Sequence, residues 1–357
     1  MLTRTADWMA RKEWRPPGPV RAGQTRWVLA VAAVLCYLSV SSPALAGTGY
    51  VDGVSDQSMA AWGRPVFAGR LNDFLSEAGL GNPPSHIAFA RYVVQWNVAS
   101  EESDGPDPDG DYREQFEAWY DNALSRGLVL DVSLVAFHRG EAPPASKAFQ
   151  AALQALLDRF PAIRYLEAWD EPNNTPGLTP AGAAHYTNAA LSDCEGRGCT
   201  VIAGNLLDSA NMLSFERAYS ADLKVEPLNW GVHPYFAVKV HSDSAIREFE
   251  RDLPARGDAT WFTEIGAYVC LHGDRQSEAR QASDASWLVS SLMPAVRPAH
   301  VFYYEFMFKN HQEQPCSATS GPDTSIYNDR GQARVAASVI LGSVAAATQV
   351  ELALDGP

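Results

Sequence analysis

Positive charge is in short supply. The 357 residues hold 28 Lys and Arg against 42 Asp and Glu, a formal net charge of −14. A chain this acidic repels a phosphate backbone, which argues against nucleic acid as a partner. Long apolar runs are missing too: the stretch Trp27–Val40 has 14 residues, short of the roughly 20 that a bilayer-spanning helix needs. Cysteine is sparse, at 5, and no Cys-x-x-Cys pair supplies zinc-site spacing. No Gly-rich phosphate turn follows the first strand-like segment, where Val51-Asp52-Gly53-Val54-Ser55 stands, so a doubly wound nucleotide-binding sheet loses its main signature. No Pro/Ser-rich linker, repeat or low-complexity tract divides the chain.

What is present is ordinary globular material, 46% hydrophobic and 10% aromatic, with 10 Trp and 13 Tyr. Residues 1–46 read as a signal peptide. A basic start (Arg4, Arg11, Lys12, Arg15, Arg21, Arg26) precedes the short apolar stretch, and Pro43-Ala44-Leu45-Ala46 supplies small residues for cleavage before Gly47. An uncleaved N-terminal anchor is the competing reading. Export leaves Cys194, Cys199, Cys270 and Cys316, an even set that predicts two disulfides in an oxidising compartment. Gly196 and Gly198 allow a tight loop between the first two. Three connectivities remain open at this level.

Apolar strand-like runs and helix-like segments then alternate. The strands are read at Tyr50–Val54, Ala88–Trp96, Val129–Ala136, Arg164–Trp169, Thr200–Ala203, Trp230–His233, Thr260–Glu264 and His300–Glu305. Helical spacing marks Tyr112–Arg126, Phe149–Phe160, a segment starting at Thr179-Pro180, Ser242–Leu253, Ser277–Leu292 and Gln332–Ala345. Eight such units over residues 47–357 predict one α/β domain, a (β/α)8 TIM barrel.

Active sites of these barrels gather at the carboxyl ends of the strands. Those ends offer Arg91, Trp96, His138, Trp169, Asp170, Glu171, Asn173, Asn205, His233, Tyr235, Glu264, Tyr303 and Tyr304. Two carboxylates stand out. Glu171 and Glu264 each end an apolar run, before Pro172 and before Ile265-Gly266, where an acid is poorly placed for stability and well placed for chemistry. The acidic stretch Glu101–Asp111 lacks the ordered spacing of a calcium loop and reads as a solvated loop.

With Asp170-Glu171-Pro172-Asn173 at the fourth strand and Trp261-Phe262-Thr263-Glu264-Ile265-Gly266 at the seventh, the chain resembles clan A of the retaining glycoside hydrolases. Arg91, the His233/Tyr235 pair and Ile326-Tyr327-Asn328-Asp329-Arg330-Gly331 fit the same pattern. The resemblance implies a secreted, cofactor-free and metal-free enzyme that acts as a monomer on a carbohydrate, with no membrane association after signal cleavage. Glu264 is then the nucleophile, supported by Arg91, Tyr235 and His233. Glu171 is the acid/base, its proton retained by the neighbouring Glu264 anion. Asp170, Trp96, Trp169, Asn173, Asn205, Tyr303 and Tyr304 are the expected sugar contacts. Two features depart from the pattern: Asp170 stands where the clan has Asn, and Tyr303 and Tyr304 stand where a Trp is common. A transglycosidase with the same residues, a non-catalytic carbohydrate-binding barrel and a metal-dependent barrel hydrolase are the alternatives.

Overall fold

The computed structural model describes residues 51–56, 87–100, 112–136, 141–253, 259–271, 273–305, 316, 322–328 and 332–343. The expected signal peptide, the acidic stretch Glu101–Asp111 and His138 lie outside these residues. So do Tyr50, where the first strand was expected to begin, and the end of the last helix.

Eight strands form a closed, all-parallel barrel. They are β1 (Gly53–Ser55), β2 (Phe89–Gln95), β3 (Val129–Val135), β4 (Ile163–Glu167), β5 (Thr200–Leu207), β6 (Asn229–His233), β7 (Ala259–Ile265) and β8 (Val301–Tyr304). Each pairs with its sequence neighbours, and β1 joins β8 to close the ring. The predicted (β/α)8 fold is what forms. Helices cover the outside: α1 (Tyr112–Ser125), α2 (Ser146–Arg159), α3 (Pro180–Cys194), α4 (Met212–Ala221), α5 (Tyr235–Val240), α6 (Ser244–Asp252) and α7 (Glu278–Trp287). A further helix spans 335–343. Thr179 caps α3 as its sequence predicts, its hydroxyl accepting from the Gly182 amide at 3.1 Å. Helices α4 and α5 were not anticipated.

Strand side chains alternate between the barrel interior and the helical layer, and the interior splits into two zones. At the amino-terminal end Phe89, Ile202, Trp261 and Phe302 form a buried plug, with Tyr165 packed on it. The rings of Tyr165 and Trp261 meet at 4.8 Å and those of Phe89 and Phe302 at 5.7 Å, both pairs tilted. Two residues further along the same strands the interior turns polar, with Arg91, Glu167 and Thr263, and with Asp131 on β3; all four are buried. Close packing there demands glycine at 231: a Cβ at that position would stand 1.9 Å from Asn205 Oδ1. The hydrophobic bottom fixes the barrel and leaves its upper half free for charge.

Both disulfides form. Cys194–Cys199 closes the loop after α3, and Cys270–Cys316 ties the segment after β7 to the segment after β8. Among the described residues no helix is long and apolar enough to cross a membrane.

Candidate active site

Arg91 organises the upper barrel. Its guanidinium is fully buried and donates to four side chains. Nε and Nη2 grip Glu167 in a bidentate pair at 2.7 Å each. Nη2 also reaches Asp170 at 2.6 Å, and Nη1 reaches Glu264 Oε2 at 2.6 Å and Ser55 Oγ at 3.2 Å. Planar, five-donor Arg is the side chain able to serve three carboxylates at once. Burial pushes the Glu167 carboxyl up, but the Arg91 charge and hydrogen bonds win and hold it below its usual range. Asp131, buried beside the Glu167 anion, is pushed far up and stays protonated.

Glu264 ends β7 with its second oxygen accepting from the Tyr235 hydroxyl at 2.9 Å. Tyr235 begins α5, directly after β6, and Tyr268 stacks on its ring at 5.3 Å. Both Glu264 oxygens are therefore oriented by donors, and both donors, Arg91 and Tyr235, were expected from the sequence.

Glu171 lies across the barrel mouth, on the loop after β4. Its backbone adopts φ 42°, a left-handed conformation that costs a non-glycine residue roughly 1–3 kcal/mol. Hydrogen bonds to its carbonyl from the Asn174 amide and the Thr175 hydroxyl hold that turn. The carboxylate meets His233 Nδ1 at 3.1 Å and Asn174 Nδ2 at 2.9 Å. One oxygen of Glu171, one of Glu264 and a ring nitrogen of His233 all lie within 4.8 Å of one another.

His233 thus contacts Glu171 directly, whereas the sequence reading set it behind Glu264. This changes the protonation pattern. Burial pushes Glu171 up, but the hydrogen bond and charge of His233, with Asn174 and Arg91, bring its carboxyl below the usual range. Burial works against a charged His233, yet the Glu171 hydrogen bond and the Glu264 and Asp170 charges raise it. The shifts of this pair run opposite to the expected rise of Glu171: the carboxyl is lowered and the imidazole is raised.

Asp170 Oδ1 accepts from Arg91 and, at 3.3 Å, from Ser133. Burial raises its pKa to about 7; Arg91 opposes the rise and Glu264 reinforces it. A carboxyl with a raised folded-state pKa favours folding below its unfolded value and loses that contribution as pH climbs through about 7. Asp170→Asn is therefore expected to stabilise the protein relative to wild type at pH 7.5 and to lose that advantage at pH 4, read from urea midpoints at the two pH values. Equal differences at both would show that Asp170 titrates normally.

The other expected sugar contacts divide. Trp96, half-buried, donates to Glu141 at 2.7 Å on the β2–β3 side of the mouth. Tyr304 sits close enough to Glu264 and Asp170 for their charges, after burial, to push its hydroxyl well up. Four residues belong to the scaffold instead. Trp169 packs between Phe149 and Tyr186 and donates to Thr175. Asn173 clamps the loop after β5, donating to the Leu207 carbonyl at 2.8 Å and accepting from the Leu207 amide at 3.0 Å. Asn205, at φ 52° where β5 bulges, is spent on Ile202 and Thr263. Tyr303 bonds the Thr324 carbonyl and the Ala267 amide. Glu167, Asp131, Asp208 and Glu141 were missed. Charged residues inside apolar strands were the available signal for the first two.

Among the described residues two sets of side chains approach metal-ligand spacing, Glu171–His233–Glu264 and Glu167–Asp170–His233. Arg91 already neutralises Glu264, Asp170 and Glu167, so a dication bound there would face a buried guanidinium at close range, a repulsive arrangement. The geometry favours paired carboxylate chemistry over metal ligation.

No protein-family model matches the sequence, and no curated protein matches it. Solved structures do share the fold. A family 39 glycoside hydrolase from the gut symbiont Bacteroides cellulosilyticus WH2 is similar at TM-score 0.53 and 13% identity, over 84% of this chain and 64% of that one. GH5_18 from Streptomyces cattleya, in complex with GlcNAc, gives TM-score 0.56 and 15% identity over 86% and 82%. An exo-beta-1,4-mannosidase from Opitutaceae bacterium strain TAV5 gives TM-score 0.58 and 14% identity over 87% and 63%. This chain spans less than two thirds of the length of the first and third. At such identities the likeness is one of fold.

Proposed function

We propose that this chain is a retaining glycoside hydrolase that cleaves a β-glycosidic bond by double displacement, with Glu264 as nucleophile and Glu171 as acid/base. The observation that carries this reading is the approach of a Glu171 oxygen to within 4.8 Å of a Glu264 oxygen. Retaining enzymes place the two carboxyl groups about 5–5.5 Å apart, whereas inverting ones leave about 6.5–9.5 Å for a water. The barrels it resembles are described as glycoside hydrolases and a mannosidase, which fits the same chemistry.

In the first step a Glu264 oxygen bonds to the anomeric carbon as the glycosidic C–O bond breaks, and the leaving oxygen takes a proton from Glu171. Arg91 and Tyr235 aim Glu264, and His233 Nδ1, at 3.1 Å, supplies the proton that Glu171 passes to the leaving oxygen, which leaves Glu171 free to act as base. Water then attacks the glycosyl-enzyme while Glu171 accepts its proton, and the Glu264–carbon bond breaks. Asp170 and Tyr304 stand where they can meet the ring hydroxyls. Export belongs to the same proposal, since two disulfides suit an oxidising compartment.

The test is to screen residues 47–357 against aryl β-glucosides, β-mannosides and β-xylosides and to follow the product anomer by NMR. A β-configured first product is expected. An α-configured one would remove the double-displacement assignment, and glycan binding without turnover would favour a carbohydrate-binding barrel.

A further inference from the structure

The two sides of the Glu171–Glu264 pair differ in chemistry. Towards β1, β2, β3, β4 and β8 lie Arg91, Gln95, Trp96, Glu141, Asp170 and Tyr304, a wall of donors and acceptors. Towards the loops after β5, β6 and β7 lies a cavity of about 520 Å³, walled chiefly by Leu207, Met212, Leu213, Phe236, Tyr268 and Leu271. Its one buried carboxylate, Asp208, is already spent: its two oxygens accept from the Phe236 and Ala237 amides at 2.8 and 2.6 Å. Lys239 on the rim is paired with Asp274 at 3.2 Å. The cavity therefore offers an occupant apolar surface and few free polar partners.

It adjoins the catalytic groups. Tyr235 lines it, and the hydroxyl of the same residue holds Glu264. Asp208 follows β5 and lies near enough to Glu171 and His233 to feel both charges.

A sugar ring carries a hydroxyl on most carbons, and each loses hydration on entering a pocket that cannot replace it. The polar wall can meet those hydroxyls and the apolar cavity cannot. We infer, on the basis of the glycosidase reading, that the cavity is the leaving-group subsite and that it takes an apolar aglycone, an alkyl chain or an aromatic ring, rather than a second sugar. Phe236, 58% exposed, and Val240, 45% exposed, on α5 extend the apolar surface at its rim.

The experiment compares matched methyl, butyl, octyl and phenyl β-glycosides of one sugar, the octyl compound kept below its micelle concentration. With wild type, kcat/KM for octyl is expected to exceed that for methyl on the order of 10²-fold, since apolar contact grows with each methylene buried. Leu213→Ser and the fold-neutral surface change Phe236→Ser should each pull that ratio towards one. A flat ratio in wild type, or a cellobioside preferred over the octyl glycoside, would overturn the apolar subsite and leave the hydrolase reading intact. If no glycoside turns over, the hydrolase reading fails and the leaving-group assignment falls with it. Fluorescence titration of wild type and Leu213→Ser with octyl glucoside then shows separately whether the cavity binds apolar chains.

Discussion

Arg91→Met is expected to cost roughly 3–5 kcal/mol of stability at pH 7, the scale on which a buried charge left without its partner acts, and to abolish activity. One substitution strands Glu167, Asp170 and Glu264 together, because all three rely on the same guanidinium. Methionine fills much of the volume, so the loss is electrostatic more than steric. The pH dependence identifies the cause. In wild type, Arg91 holds the Glu167 pKa down, so that interaction supports the fold above the unfolded-state carboxyl pKa and is lost as pH falls through the folded one. Without Arg91, only the His233 charge and the Asp131 hydrogen bond oppose burial; the Glu167 pKa then rises, so the variant recovers stability on acidification. Urea unfolding at pH 7.5 and 5 should therefore show the gap between the two proteins narrowing at the lower pH. A constant gap would mean that packing around residue 91, not charge, is what the substitution damages. Arg91→Lys separates fold from function. A single ammonium cannot reproduce the bidentate grip on Glu167 while also reaching Glu264, so this variant should fold and still lose most of its turnover.

The same residue shows what the sequence made legible. Apolar runs alternating with amphipathic segments place all eight strands to within a few residues, because a parallel barrel buries both faces of its strands. Glu171, Glu264, Arg91 and Tyr235 converge as their positions at strand ends imply. Glu167 and Asp131 escaped because attention to strand ends passes over strand interiors, yet a charge inside an apolar strand two residues above an aromatic plug is a readable sign of a buried ion network. Trp169, Asn173, Asn205 and Tyr303 spend their polar atoms on neighbouring protein groups instead. For Asn205 the cause is local: its left-handed backbone sits where β5 bulges, and a one-residue offset decides which face a side chain takes. His233 was placed on the correct strand and assigned the wrong partner, since neither spacing nor composition encodes which carboxylate a strand-six side chain meets. Helix α4 was legible in the buried set Met212, Phe215 and Tyr219, spaced for one helical face.

Glu264→Gln and Glu171→Gln are expected to fail in different ways, and the difference assigns the two roles. Glutamine at 264 cannot form the glycosyl-enzyme, so turnover should fall roughly 10⁶-fold, the scale on which loss of a covalent nucleophile acts, whatever the leaving group. Glutamine at 171 removes proton donation, worth about 10²–10⁴-fold, but only where the leaving oxygen needs a proton. An activated nitrophenyl glycoside departs as a stable phenolate, so Glu171→Gln should form the covalent intermediate from it and stall, giving a burst followed by slow release. An unactivated alkyl glycoside should show no burst. Adding azide, a nucleophile that needs no general base, should speed release in Glu171→Gln and yield a β-glycosyl azide. The split follows from the proposed roles: Glu264 is oriented by Arg91 and Tyr235, while Glu171 is tied to His233, the group proposed to supply its proton. Azide rescue in Glu264→Gln that yields a β-glycosyl azide, with an α-glycosyl azide from Glu171→Gln, would exchange the two assignments.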